Sequence, residues 1–386
     1  MSQRISNSRY DKRNSNVELL RIFAMFLIVL NHFHWSVDAI VADSGAFERF
    51  SLLNTVGLLS NFGGVGDDLF FMISAWYMCG ESVSIKRNLR RSWLLERQLL
   101  FYSIGLFFVE TLMELWCNGI YSTRGIVKSG IFSLFPFLSG RWWYPTSYII
   151  FLFIHPWLNE GLRSLGEIRH RNLLIISIAL WGFIPYIQLN MGYSVMLFLY
   201  LYVITAYIRW YLLESMTPKM ENIMLFYGLL LGIVSNCILQ LFKPDSIVQA
   251  GWMNNPRCIP SLMVALGLVL KCCRKEVMHS RVINVCASAT LAAFLLIGFG
   301  SNLLEEYVFP VLHVGGLSRL LIEFCLAVLF FVLALAVDMA RQAVFAITID
   351  RNKAKLFDCG WNCSMRIYHV LADWFMKNRN LSAISE

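Results

Sequence analysis

An arginine and a histidine inside one apolar run are the residues whose types and spacing suit chemistry. The run opens Asn16-Val17-Glu18-Leu19-Leu20-Arg21, continues from Ile22 to Leu30 and closes at Asn31-His32-Phe33-His34-Trp35. In a helix, Arg21 and His32 stand about 20° apart around the axis and roughly 16 Å apart along it. They share one face, and His34 falls on the other. Glu18, three residues before Arg21, lies close to the same stripe, so an i,i+3 pair keeps the guanidinium charged and turned inward. A guanidinium steadies negative charge, and an imidazole with an ordinary pKa of about 6.5 can take a proton or carry a group at cellular pH. A second reading is positional: Arg21 snorkels to headgroups, and His32 sits at an interface beside Trp35. The cost of ionisable groups in hydrocarbon favours a working site that faces other helices.

The rest of the chain must position that stripe, and its composition names the medium. Of 386 residues, 57% are hydrophobic and only 15% charged, which excludes an ordinary soluble domain and leaves room for many membrane spans. The fold class expected is therefore all-α and polytopic, with no appended soluble catalytic domain. The polar, basic N-terminus lacks a small-residue cleavage pattern, so no removable signal peptide is expected. Cys272, Cys273, Cys359 and Cys363 fall on the side assigned below to the cytoplasm, where disulfides are rare. Cys359, Cys363 and His369 have irregular spacing and no fourth ligand, so no metal is expected.

Apolar runs of spanning length number ten: 17–36, 63–80, 98–117, 143–159, 172–190, 193–213, 222–242, 257–272, 282–300 and 317–340. Alternating sides from a cytoplasmic N-terminus puts 25 of the 33 Lys and Arg on the cytoplasmic side and 7 on the other. That asymmetry is the positive-inside pattern, and it accounts for the net charge of +8 without nucleic acid. Both termini are thereby expected in the cytoplasm, with the chain multi-pass in the cell (inner or plasma) membrane. Residues 37–62 read as an outside loop, and Ile131 to Leu138 as an apolar segment too short to cross. Residues 1–348 read as the transmembrane unit, and 349–386 as a cytoplasmic, interfacial amphipathic tail.

One inside loop, from Ser84 to Arg97, is densely basic. Lys86, Arg87, Arg90, Arg91 and Arg97 suit either anionic lipid headgroups or the phosphates of a cytosolic ligand, for which Arg offers forked donors. Trp142, Trp143 and Tyr144 suit either an interfacial aromatic belt or a stacking platform for a sugar ring. His155 precedes Pro156 and reads as a satisfied residue at a helix break; Glu323 and Arg319, one turn apart, read as a structural ion pair.

These segments, taken together, resemble the acyltransferase 3 family of bacterial membrane proteins. The Asn16–Arg21 stretch with His32 resembles that family's first helix, and Gly63-Gly64-Val65-Gly66-Asp67-Asp68-Leu69-Phe70-Phe71-Met72-Ile73-Ser74 its Gly-rich, Asp-Leu-Phe-Phe segment. Trp142 to Tyr148, leading to Pro156-Trp157-Leu158-Asn159, is similar to its fourth span, and Tyr202 to Arg209 to a further stretch. The chain departs from the pattern at Ala75 for a Gly, at Thr205-Ala206 for a Gly pair and at Ile297 for a His, and its basic loop lacks a following Pro.

The resemblance implies a membrane O-acyltransferase, with a cytosolic acyl-CoA, acetyl-CoA foremost, as donor and an extracytoplasmic glycan hydroxyl as acceptor. On that reading Lys86, Arg87, Arg90, Arg91 and Arg97 bind nucleotide phosphates, while Arg21 guides the pantetheine arm or stabilises charge. His32 is general base or acyl carrier. A histidine base needs its second ring nitrogen held; Asp68 is the candidate, Asp67 the second choice, and the alternative is that both cap their helix. The competing class is a transporter or lipid-linked-sugar flippase, which shares ten spans and intramembrane charges but would call for an inverted repeat that the sequence lacks.

Overall fold

Asn14 starts the first helix by accepting the Asn16 amide on its side chain at 3.1 Å, which satisfies one of the donors a helix start leaves open. In the computed structural model, which describes residues 13–33, 35–82, 84–118, 122–182, 194–242 and 255–382, this helix, α1, runs Ser15–His32. His34 lies outside the described residues. The helices that follow are α2 Val37–Val41, α3 Ala46–Ser60, α4 Gly63–Gly80, α5 Ile85–Asn118, α6 Thr123–Leu134, α7 Pro136–Ser139 and α8 Trp143–Ser177. Then come α9 Val195–Tyr207, α10 Pro218–Phe242, α11 Ile259–Arg274, α12 Arg281–Leu303, α13 Gly316–Ile347 and α14 Lys353–Ser382. Among the described residues there is no strand.

The polar stripe is held at the centre of the bundle because α1 packs chiefly between α4 and α12. Lipid tails do not drive helices together, so close backbone approach has to. A Cβ on Gly66 would stand 2.6 Å from the Ala24 carbonyl oxygen and 2.8 Å from Ile28 Cγ1, a distance only glycine permits. At the other flank, the Ser15 hydroxyl donates to Asn284 Oδ1 at 2.9 Å and the Ser15 amide to the Met278 carbonyl at 2.8 Å, which ties the start of α1 to the start of α12.

Among the described residues, seven helices are long and apolar enough to cross a membrane: Ser15–His32, Ala46–Gly80, Ile85–Trp116, Val195–Leu212, Pro218–Phe242, Arg281–Val311 and Gly316–Ile347. The ten expected spans are not all recovered as such. Those at 143–159 and 172–190 begin on the two arms of α8, which break at Gly166 (φ 68°, ψ 174°), inside the connection expected between them, and residues 183–190 lie outside the described ones. That at 257–272 is the 16-residue α11. The expected outside loop 37–62 is mostly helical, as α2 and α3.

Two polar clusters do structural work, as the sequence suggests. Pro156 cannot donate to the Leu152 carbonyl one turn back, and Asn88 of α5 takes that acceptor at 3.0 Å. Asn88 also donates to His155 Nδ1 at 3.0 Å, so His155 Nε2 donates to Tyr202 Oη at 2.9 Å, whose hydroxyl donates to Asn159 Oδ1 at 2.9 Å. Arg319 and Glu323, both fully buried, pair at 2.5 Å. Their spare groups hold the Leu312 carbonyl at 2.7 Å and the Ser36 amide at 2.9 Å, so neither buried charge is left without partners.

Candidate active site

Glu18, Arg21 and His32 all project from α1 into the bundle. Arg21 Nη1 donates to Glu18 Oε2 at 2.9 Å, and Arg13 reaches the same oxygen at 3.5 Å. Eleven residues on, His32 Nδ1 lies 2.9 Å from the Ile28 carbonyl oxygen. A carbonyl only accepts, so Nδ1 carries the proton and the ring lone pair is on Nε2, the tautomer a general base requires.

Each end of the stripe opens into its own cavity, and both cavities draw on α1, α5, α8 and α12, the Arg21-end one also on α4 and α13. The one at the Arg21 end holds about 650 Å³. Arg13, Arg21, Arg97 and Arg341 line it, with Ser74, Gln98, Ser288, Thr290, Gln342 and Asp350. Three carboxylates balance its four guanidiniums: Glu18 for Arg13 and Arg21, Asp350 for Arg97, and Asp338 for Arg341 at 2.7 Å. Asp338 is fully buried and fixes this wall, accepting also from Tyr102 Oη at 2.8 Å, Gln342 Nε2 at 2.7 Å and Gln98 Nε2 at 3.2 Å.

The cavity at the His32 end holds about 470 Å³ and is walled by Trp142, Trp143, Leu106, Phe294, Ile297 and Phe299. Its charges cancel, because Arg141 Nη2 donates to both oxygens of Glu110, at 2.9 and 3.1 Å. The Trp142 indole donates to the Leu295 carbonyl at 3.2 Å, which locks the start of α8 against α12.

Between the cavities stands a layer of rings. Tyr144 lines the Arg21-end cavity and Phe294 the His32-end cavity, their centroids 5.9 Å apart. Phe294 meets the His32 ring edge-on at 6.3 Å, and Tyr144 is backed by Phe198 at 4.8 Å and Phe70 at 5.7 Å.

The other expected site residues divide. The basic stretch is the first turns of α5, not a loop, since Arg, Leu, Lys and Glu are good helix formers. Arg97, two turns deeper than Arg90, is the member of that group that lines the cavity, stacked over Trp93 at 4.6 Å. Arg91 pairs with Glu81 at 2.9 Å, Arg87 with Glu81 at 3.2 Å and Lys86 with Asp358 at 2.7 Å, while Arg90 is exposed. Lys86 and Arg90 hold the exposed Asp358 carboxyl below the usual carboxylate range, the Lys86 hydrogen bond being the larger cause.

Asp68 requires a correction. It makes no hydrogen bond to His32: its Oδ2 accepts from Ser261 of α11 at 2.7 Å, and the His32 nitrogen it was expected to hold is taken by the Ile28 carbonyl. Neither Asp67 nor Asp68 caps α4, whose cap residue is Phe62. Trp143 and Tyr144 are adjacent yet serve different cavities, and Tyr144 is buried rather than at an interface. Sequence reasoning did not single out Arg13, Arg341, Glu110 or Arg141. For Arg341 the signal was present, as an Asp-to-Arg i,i+3 pair ending an apolar run.

Spanning helices around two stacked cavities define a multi-pass membrane protein. A family model described as an acyltransferase domain matches residues 14–339, and the chain belongs to that family, acyltransferase 3. It is a membrane acyltransferase. No curated protein and no solved structure matches the chain.

Proposed function

We propose that the protein moves an acyl group, acetyl foremost, from a cytosolic acyl-CoA to a hydroxyl of an extracytoplasmic glycan or other cell-envelope acceptor. The supporting observation is the pair of cavities that share four helices, one lined by arginines at the Arg21 end and the other by an imidazole at His32. The donor enters at the Arg21 end, where the lining of four arginines suits nucleotide phosphates and Arg21 and Arg97 offer forked donors. That end is cytoplasmic on this reading, with both termini, and the membrane is the cell membrane. The acceptor enters at the other end, its ring against Trp142 and Trp143.

In the transfer, His32 Nε2 takes the hydroxyl proton as the oxygen attacks the thioester carbonyl carbon. The C–O bond forms, the C–S bond breaks, and the imidazolium returns the proton to the departing sulfur, leaving an ester and free coenzyme A thiol. The Ile28 carbonyl steadies the imidazolium through Nδ1–H, the part otherwise assigned to a carboxylate.

Membrane vesicles holding the protein, given acetyl-CoA labelled in the acetyl group and purified envelope glycan, test the proposal. Label should appear on the glycan, and His32→Ala at equal abundance should abolish it. Label transfer that persists in that variant removes His32 from the reaction, and glycan crossing the membrane without label points to a transporter.

A further inference from the structure

We infer that Phe294, backed by Tyr144, sets the length of the acyl chain this enzyme transfers. The inference rests on the donor reading above and concerns the wall between the two cavities.

Reaction places the thioester carbonyl about 3–3.5 Å from the acceptor oxygen, which His32 must also reach. A thioester arriving from the Arg21 cavity therefore passes Tyr144 and comes to lie beside Phe294, whose ring is 6.3 Å from the imidazole. Whatever extends beyond the carbonyl has to fit where these rings are. Neither ring is free to yield: Tyr144 is 5% exposed and packed edge-on against Phe198, and Phe294 is 6% exposed. A two-carbon acyl group ends at the wall, while a longer chain runs into the Phe294 ring. The same two rings stand between the donor cavity and the acceptor cavity, so they also narrow the path by which acceptor-side water reaches the thioester. Removing the Phe294 ring thins this wall from the His32 side and relaxes both restrictions at once. Neighbouring Ala292 and Ala293 are already small and fully buried, so Phe294 is the aromatic side chain that α12 brings to this wall.

The test uses vesicles with the full-length protein and acetyl-, butyryl- or hexanoyl-CoA, each labelled in the acyl group, with envelope glycan present or absent. In Phe294→Ala, hexanoyl transfer relative to acetyl transfer should rise at least tenfold, and acyl-CoA hydrolysis without acceptor, giving the carboxylic acid and free thiol, should rise several-fold. Phe294→Leu should lie between Ala and wild type, and Phe294→Trp should lower butyryl relative to acetyl transfer. These variants keep the question answerable where Phe294→Ala does not accumulate. A wild type active with acetyl-CoA and a chain-length ratio within twofold of it in every accumulating variant overturns the selector role. A wild type inactive with all three donors overturns the donor reading, and the selector role with it.

Discussion

Two cavities share four helices and have little else in common. At the Arg21 end, four guanidiniums face three carboxylates around a buried Asp338, and the space is suited to an anion. At the His32 end, the Arg141–Glu110 pair cancels itself in a space walled by Trp142 and Trp143, and the reactive group is an imidazole. An arrangement of this kind separates recognition of a charged donor from chemistry on an uncharged hydroxyl. Only α1 carries a polar side chain from the expected stripe into each space, and what distinguishes the ends is the set of residues that α5, α8, α12 and α13 bring to each.

The largest break in this comparison comes from the imidazole. General base catalysis is worth about 10²- to 10⁴-fold, so His32→Ala should lower acetyl transfer by that factor with donor affinity nearly unchanged, measured as separate kcat and KM. A matching loss in donor affinity would mean that the two ends are not separate. Next is Gly66→Ala, which touches neither cavity. Its methyl would stand 2.6 Å from the Ala24 carbonyl and 2.8 Å from Ile28, the residue that holds His32. A displacement of about 1 Å at a reacting group costs on the order of 10²-fold, and transfer should fall by that much at equal membrane abundance. Near-normal transfer would show that the α1–α4 contact does not set the imidazole.

The guanidiniums provide the next contrast. A charge-assisted hydrogen bond contributes about 1.5–3 kcal/mol, so Arg21→Ala should raise the KM for acetyl-CoA about tenfold or more while kcat changes less. Arg90→Ala should leave it within about twofold, because Arg90 faces solvent two turns from the cavity residue Arg97. Equal effects would mean that the surface cations and the cavity cations act as one site. Asp68→Asn should retain transfer per molecule, since the amide oxygen still accepts from Ser261; Asp68→Ala should lower abundance, read by quantitative blotting. A loss of kcat in Asp68→Asn at full abundance would restore the carboxylate to the chemistry.

The α1 stripe was legible because its cause is local: an eleven-residue spacing in an apolar run fixes a face before any packing is known. The holder of His32 is equally local, the carbonyl four residues back, yet a carboxylate in a resembling motif drew attention from it. Asp338 was not legible. Its donors come from Gln98 and Tyr102 on one helix and from Arg341 and Gln342 on its own, and only folding brings a partner some 240 residues away to it. Span counting was weakest where polarity and apolarity mix, since Pro145, His155, Pro156 and Asn159 dilute the first arm of α8, whereas the break expected between 159 and 172 is there, at Gly166. The basic stretch lies on the helix that lines both cavities, but which of its cations enters the Arg21-end cavity depends on depth along α5.

The smallest expected effect lies outside both cavities and tests whether the paired surface cations belong to the donor end at all. Lys86 of α5 holds Asp358 of α14 at 2.7 Å, and Trp93 packs against Phe357 at 6.1 Å, so that, among the described side chains, an ion pair and a ring contact fasten α14 to α5. The Asp358 carboxyl titrates below its ordinary value because Lys86 binds its charged form. A depressed carboxylate contributes to the docked state fully above its ordinary pKa, near 3.8, and loses that contribution as pH falls through the lower folded value. Hydrogen exchange of α14 should thus match at pH 7 and pH 5 after correction for intrinsic rates, and speed up modestly below pH 4. Asp358→Asn should show faster exchange at all three pH values and no further change at the lowest. Acetyl transfer at pH 7 should be within about twofold of wild type in Asp358→Asn, as expected for an exposed pair. A larger loss of transfer with donor KM raised would attach α14 and Lys86 to the donor cavity, and the division drawn between surface and cavity cations would have to move.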